Sequence, residues 1–346
     1  MQIPQRVLAA YAFTDESVKA EIIGSGLINH TWKLTDSGRE YILQRVNQHV
    51  FKQPEDIAYN IDLVASHLKK YYPNYLFISP VAAIDGRTLV YLEEEGYFRM
   101  FPFVKDSVSI DTVKTTKQAY EAAAQFGRFT KLLSGLQSSQ LRITIPSFHD
   151  LTLRYQQFLS AIETGNQQRV KESDQLIKKL LGYSTIAEEY ERIKTDPSFK
   201  LRVTHHDTKI SNVLFDEHGN GLCVIDLDTL MPGYFFSDVG DMMRTYLSPV
   251  NEEESDFSKI EVRTDFYKAI AEGYFTEMKD ELTDAEKNSF FYAGKFMIYM
   301  QAIRFLTDYL NADVYYGAKY PGHNFIRAGN QEVLLEKLME KEHLLI

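Results

Sequence analysis

The sequence predicts an α+β protein in two parts: a small antiparallel sheet with one helix, followed by a larger, mainly helical region. Three observations predict it. Short apolar runs broken by Gly- and Asp-bearing turns fill the first hundred residues. Apolar residues recur three and four apart from about Thr116 onward. The one clear interruption of that helical pattern is a short hairpin signal between Asn212 and Asp226. A chain of 346 residues is long enough for two domains or lobes of ordinary size, and we divide it into residues 1–103 and 104–346.

The elements follow in order. Ile22-Ile23 leads into Gly24-Ser25-Gly26, after which Thr31-Trp32-Lys33-Leu34 and Tyr41 to Val46, joined at Ser37-Gly38, read as a hairpin with a glycine-bearing loop at its entrance. Between Pro54 and Tyr71, Ile57, Ile61, Val64 and Leu68 fall at helical spacing, which predicts an amphipathic helix on the sheet. Strands are expected over 76–84 and 88–92, around the turn Asp85-Gly86-Arg87, and over Tyr97 to Phe101, ending at Pro102. Phe101-Pro102-Phe103 is the expected hinge. Helices are expected over 116–134, 151–164, 168–194, 257–279 and 284–311. Asn212 to Phe215 and Leu222 to Ile225, on either side of Asp216-Glu217-His218-Gly219-Asn220-Gly221, predict the hairpin that brings Asn212 and Asp226 together.

Composition narrows the function classes. The balance of 38 Lys plus Arg against 48 Asp plus Glu gives a net charge of −10, so neither nucleic acid nor an anionic membrane is an expected partner. The single cysteine, Cys223, sits in an apolar run and reads as core filler, leaving no disulfide and no Cys-based zinc site. The first residues lack the pattern of a signal peptide, and the apolar segment Phe290 to Leu306 is broken by Lys295 and Arg304, so a cytoplasmic enzyme is expected.

Residues 205 to 226 carry the chemistry. His205-x-Asp207-x-x-x-x-Asn212 has the spacing of the kinase catalytic loop, in which the Asp receives the hydroxyl proton and the Asn holds Mg²⁺. Asp226, after an apolar strand, occupies the position of the metal-binding aspartate that kinases carry in D-F-G. Asp228 adds to the metal site or serves structurally. Singly, each of these residues also suits an ordinary turn, cap or strand end; together they point to phosphoryl transfer from ATP. His205 and His206 are read as support for the loop. Gly24-Ser25-Gly26 is the expected phosphate-covering loop, and no G-x-x-x-x-G-K-[ST] occurs that would mark a P-loop. A kinase of this kind wants a phosphate-pairing base on the strand Tyr41 to Val46; Gln44 and Arg45 stand there, and Arg45 is the candidate, with Glu55 or Asp62 on the next helix to orient it. The absence of D-F-G and A-P-E elements disfavours a protein kinase.

These residues, with Gly24 to Thr31, Tyr41 to Asn47, Phe98 to Phe103, Thr204 to Asn212, Val224 to Gly233 and Arg304 to Leu310, resemble the aminoglycoside phosphotransferase and choline kinase-like superfamily, and within it the N-acetylhexosamine 1-kinase branch. The resemblance spans roughly residues 20 to 330. It implies a two-lobed, protein-kinase-like fold, ATP bound at the hinge by Phe101, Mg²⁺ on Asn212 and Asp226, and Asp207 facing the anomeric hydroxyl of GlcNAc or GalNAc. It also implies that Arg304 reaches the sugar, although an Arg304–Asp308 pair one helical turn apart reads equally well from spacing. The sugar kinases carry His and Asp where this chain has Leu27 and His30, a departure that bears on the acceptor. Two alternatives stay open: a kinase of an aminoglycoside, amino sugar or choline-like amino alcohol, and a nucleotide-binding scaffold without turnover.

Overall fold

The computed structural model describes residues 3–14, 18–23 and 29–345. Helix α1 (Gln5–Ala10) precedes strands β1 (Val18–Ile22), β2 (His30–Asp36) and β3 (Arg39–Arg45). Helix α2 (Pro54–Tyr71) intervenes before β4 (Val90–Leu92) and β5 (Gly96–Pro102). The five strands form one antiparallel sheet in the order β1-β2-β3-β5-β4. Alternation along each strand divides the side chains between two faces. Trp32, Leu34, Leu43, Phe98 and Met100 take one face and form a small core with Val7, Leu8 and Tyr11 around α1. Thr31, Ile42, Gln44, Arg99 and Phe101 take the other face and line a cleft.

The helix that covers this sheet is therefore α1, which the sequence reading did not predict. Helix α2 has the expected bounds but a different partner. Its apolar stripe of Ile57, Ile61, Val64 and Leu68 joins the large core of the helical region. Asn60 anchors it there, donating to the carbonyls of Arg142 and Leu230 at 2.9 Å each. The expected strand over 76–84 is an extended segment with two bonds into the sheet region, Val81 N to Met100 O at 2.7 Å and Ala83 N to Arg87 O at 2.8 Å. Pro80 has no N–H to give, which interrupts any longer ladder there.

The larger part starts with β6 (Val108–Ser109), α3 (Thr116–Leu132) and α4 (Leu151–Thr164). The region expected as one helix over 168–194 is three, α5 (Gln167–Glu172), α6 (Asp174–Gly182) and α7 (Thr185–Thr195), with breaks at Ser173 and at Tyr183-Ser184. Strand β7 (Arg202–Thr204) leads into the hairpin of β8 (Val213–Phe215) and β9 (Gly221–Val224), and β10 (Met231–Gly233) returns to pair with β7. Helices α8 (Phe235–Tyr246), α9 (Thr264–Met278), α10 (Asp284–Asn288), α11 (Phe290–Leu310), α12 (His323–Glu340) and α13 (Glu342–Leu345) complete the chain. Two more expected helices are thus shorter: α9 starts only at Thr264, and Ser289 divides α10 from α11. Helix α11 is apolar almost all round because α4, α8 and α12 pack on it. Its closest approach to α8 needs Gly240, where a Cβ would overlap the carbonyl oxygen of Ala293. Among the described residues no helix is long and apolar enough to cross a membrane.

Candidate active site

The turn after β7 presents Asp207, and α8 holds that turn in place. The Asp238 carboxylate accepts from the backbone amides of His205 (3.1 Å) and His206 (2.7 Å), and Asp241 accepts from that of Thr208 at 2.8 Å. The Thr208 hydroxyl donates back to Asp238 O at 2.7 Å. His206 takes a left-handed conformation with φ 66°, a backbone cost that the two Asp238 bonds offset. His205 donates from Nε2 to Ile225 O at 2.9 Å and accepts from Asp207 N at Nδ1 (3.3 Å), so its ring ties the loop to the hairpin and fixes its own tautomer.

Asn212 and Asp226 meet as the hairpin reading predicted. Val213 pairs with Val224, and Ile225 N donates to Asn212 O at 2.9 Å. The Asn212 amide nitrogen donates to Asp207 O at 2.8 Å, and both Asn212 and Asp226 line the cleft. Asp226 is itself left-handed, with φ 61°. Burial and the neighbouring carboxylates of Asp228 and Asp207 push its carboxyl up to about 7. Burial acts in the same direction on Asp207, but the Lys209 ammonium, His205 and Asn212 outweigh it and leave Asp207 below the ordinary carboxylate range. Lys209 Nζ donates to Asp207 Oδ2 at 2.9 Å.

This donor set fits a magnesium ion. An amide and a carboxylate stand at the edge of a cleft beside two further carboxylates, an excess of negative charge that a cation relieves. Among the described residues no group of three or more His, Cys, Asp or Glu is arranged to hold a metal alone. Mg²⁺ is ordinarily held by one or two protein carboxylates together with substrate phosphates, whereas zinc needs a fuller protein set.

The cleft between sheet and hairpin has a volume of about 300 Å³. Ile23, Ile42, Phe101, Leu214 and Val224 make it mainly apolar, with Gln44, Arg99, Asn212, Asp226 and the hydroxyls of Thr31, Ser107 and Ser109 among its polar groups. An apolar slot with a few convergent polar groups suits a flat heterocycle carrying phosphates. Phe101 thus lines the cleft. Arg45 does not: strand parity puts it on the opposite face of β3, with its guanidinium 6.0 Å from the Phe98 ring. Glu55 accepts from the Tyr97 hydroxyl and Asp62 from that of Thr88 (3.1 Å), so neither of these two carboxylates points to an orienting role. Gly24, Ser25, Gly26 and Leu27 lie outside the described residues. Asp228 sits in a one-turn helix after Asp226, paired with Arg99 Nη1 at 2.5 Å and accepting from Asn29 at 2.8 Å.

On the far side of Asp207 a second cluster gathers. His206 Nδ1 lies 3.3 Å from His149 Nδ1, and His149 stacks on Phe148 at 4.4 Å between ring centroids. Arg304 lies 5.6 Å from the Phe148 ring and 5.5 Å from that of Tyr316. Its Nη1 donates to Gln301 at 2.9 Å. The Arg304–Asp308 pair does not form: Asp308 accepts instead from Tyr315 N (2.7 Å), Tyr316 N (2.9 Å) and Asn324 (3.1 Å). Burial, His206, Arg304, Arg244 and Arg154 push His149 far below its ordinary value, and burial and Arg304 pull Arg154 down as well. The cluster is cationic and aromatic. The carboxylates around it are already engaged, Asp150 by the backbone amide of Leu153, Asp241 by Arg244, and Glu252 by Arg244 and Arg327.

The sequence reading missed Lys209, Arg99, His149 and Arg154. Lys209 lay inside the recognised motif, two residues after Asp207. Arg99 was legible from strand alternation with Phe101. His149 and Arg154 had no sequence signal.

A profile of the phosphotransferase enzyme family (APH) matches residues 19–281. Among solved structures, the chain is similar to a microcompartment-associated aminopropanol kinase, with 17% identity, a TM-score of 0.65, and coverage of 98% of this chain and 97% of that one. An aminoglycoside phosphotransferase from Alicyclobacillus acidocaldarius subsp. acidocaldarius DSM 446 matches with 15% identity and a TM-score of 0.60, over 99% of this chain and 97% of that one. A choline kinase from Cryptosporidium parvum Iowa II matches with 13% identity and a TM-score of 0.54, over 96% and 92%. These likenesses establish a shared fold, a small antiparallel sheet on a helix-rich body.

Proposed function

The chain belongs to the phosphotransferase enzyme family, and from that premise we propose that it transfers the terminal phosphoryl group of ATP to a sugar hydroxyl, the anomeric 1-hydroxyl of an N-acetylhexosamine such as GlcNAc or GalNAc. As a family member it is a small-molecule phosphotransferase that uses ATP with a divalent metal ion. In this reading residues 1–103 form the nucleotide-binding lobe and residues 104–346 carry the catalytic loop and the acceptor site.

The roles follow from the chemistry each position can perform. Asp207, ionised and backed by Lys209, orients the acceptor hydroxyl and takes its proton as the oxygen attacks the γ-phosphorus. Asn212 and Asp226 would hold the magnesium ion, which neutralises charge on the phosphate oxygens when bound. Lys209 offers a further positive charge beside Asp207, where charge develops on the transferring group. Phe101 and its apolar neighbours exclude water around the base.

The observation that carries the sugar assignment is the charge around His149. Arg304, Arg244 and Arg154 all act on that ring, and among the described residues no carboxylate forms an ion pair with Arg304 or Arg154. A cationic acceptor such as choline, an amino alcohol or an aminoglycoside is repelled by guanidinium groups that no carboxylate neutralises. Hydroxyls and an acetamide carbonyl instead match guanidinium donors and aromatic faces. Incubation with ATP, Mg²⁺ and a panel of N-acetylhexosamines, hexoses, choline, aminopropanol and aminoglycosides tests this, with ADP release as the readout. N-acetylhexosamines are expected to raise turnover well above the water background. Turnover with amines alone overturns the acceptor assignment, and no turnover with any acceptor supports a scaffold without activity.

A further inference from the structure

We propose that Arg99 on β5 is the cation that grips the phosphate chain of ATP in this protein, with Gln44 and Asp228 as its positioning residues. The inference rests on the kinase reading above and adds to it a residue that neither motif nor spacing singled out.

The position usually looked to for this charge is on β3, and there the chain offers two residues. Gln44 faces the cleft but is neutral. Arg45 is charged but lies on the other face. The β3–β5 register sets Arg99 directly opposite Gln44, so the guanidinium stands one strand away on the same face of the sheet. Among the described residues that line the cleft, Arg99 is the one basic side chain, sharing it with Asn212 and Asp226.

Its polar contacts are those of an oriented but incompletely used donor. The side chain is almost wholly buried, at 4% exposure. Nε donates to Gln44 Oε1 at 3.0 Å and Nη1 pairs with Asp228 Oδ1 at 2.5 Å. Asp228 is steadied in turn by Asn29 at 2.8 Å, whose own Oδ1 accepts from Asn47 N at 3.0 Å. A guanidinium has five N–H donors in a rigid fork. Gln44 and Asp228 take two edges of it, and Nη2 makes no hydrogen bond to a described residue. Non-bridging phosphate oxygens match such a fork, and a guanidinium locked by two neighbours loses little entropy on binding them. Lys209 does not serve the same oxygens, because it is committed to Asp207 at the transfer end. The competing account is that Arg99 only clamps the sheet to the turn after Asp226.

Dissociation constants for adenosine, ADP and ATP, measured by calorimetry with excess Mg²⁺, separate the two. Arg99→Gln is expected to weaken ATP and ADP about 10- to 100-fold, the loss of one or two charge-assisted bonds, and to leave adenosine within about twofold. Restoring a cation on β3 in the double variant Gln44→Lys/Arg99→Gln is expected to recover part of the ATP affinity without changing that for adenosine. Should Arg99→Gln fold poorly in thermal melts, Arg99→Lys keeps a charge for Asp228 but cannot hold Gln44, Asp228 and phosphate together, and it too is expected to weaken ATP selectively. Unchanged ATP affinity in these variants, or equal losses for adenosine and ATP, overturns the proposal in favour of a clamp. Wild-type protein that binds neither nucleoside nor nucleotide overturns the kinase reading itself, a failure seen before any substitution is made.

Discussion

The two sides of Asp207 are built in opposite ways. On the side proposed to bind nucleotide, the groups from Asp207 to Asp226 come from one continuous stretch, cross-braced by backbone bonds between Asn212 and Ile225 and by the carboxylates of Asp238 and Asp241. On the other side, the stacked pair Phe148–His149, Arg304 on α11 and Tyr316 beyond it come from separate elements and meet through stacking and guanidinium–ring contacts. The contiguous half suits a reaction shared by a family, and the assembled half can change from one acceptor to another without disturbing it.

Four outcomes probe that division. Asp207→Asn should lower kcat by about a thousandfold while ATP affinity, measured by calorimetry, stays unchanged, because a general base contributes to the transition state and not to nucleotide binding. Asp238→Ala should be nearly as damaging without touching substrate. It leaves the buried amides of His205 and His206 without their acceptor, at about 1–3 kcal/mol each, and thermal melts should show the loss alongside reduced turnover. Arg304→Ala should raise the acceptor KM by about tenfold and leave the ATP KM alone; a larger effect on ATP would mean that the two halves are not separable.

The smallest effect is on pH. Burial lowers His206 to about 4 from an ordinary 6.5, so the unfolded chain binds the proton more tightly than the folded one. The stability this contributes is fully present above 6.5 and is lost as pH falls through about 4. Melting temperatures of wild type should fall across that window, and those of His206→Asn should fall less steeply.

What could be read from sequence follows the same division. Asp207, Asn212 and Asp226 were legible because a hairpin fixes their spacing and because each residue type is tied to its chemistry. The bounds of α2 were legible from its apolar stripe, but its partner was not, since periodicity says which face is buried and not against what. Arg45 was misplaced because charge was weighed ahead of strand parity; alternation from Leu43 into the small core already puts Arg45 outside the cleft. The break at Ser173 was hidden because α5 and α6 keep a helical pattern on both sides of it. His149 and Arg154 are brought to Arg304 by the packing of α4 on α11, which no local pattern encodes.

Product analysis tests the central claim most directly. With ATP, Mg²⁺ and an N-acetylhexosamine, phosphorus NMR should show ADP and a new phosphomonoester coupled to the anomeric proton of the sugar. A phosphomonoester on another hydroxyl, or inorganic phosphate as the only product beside ADP, would contradict it.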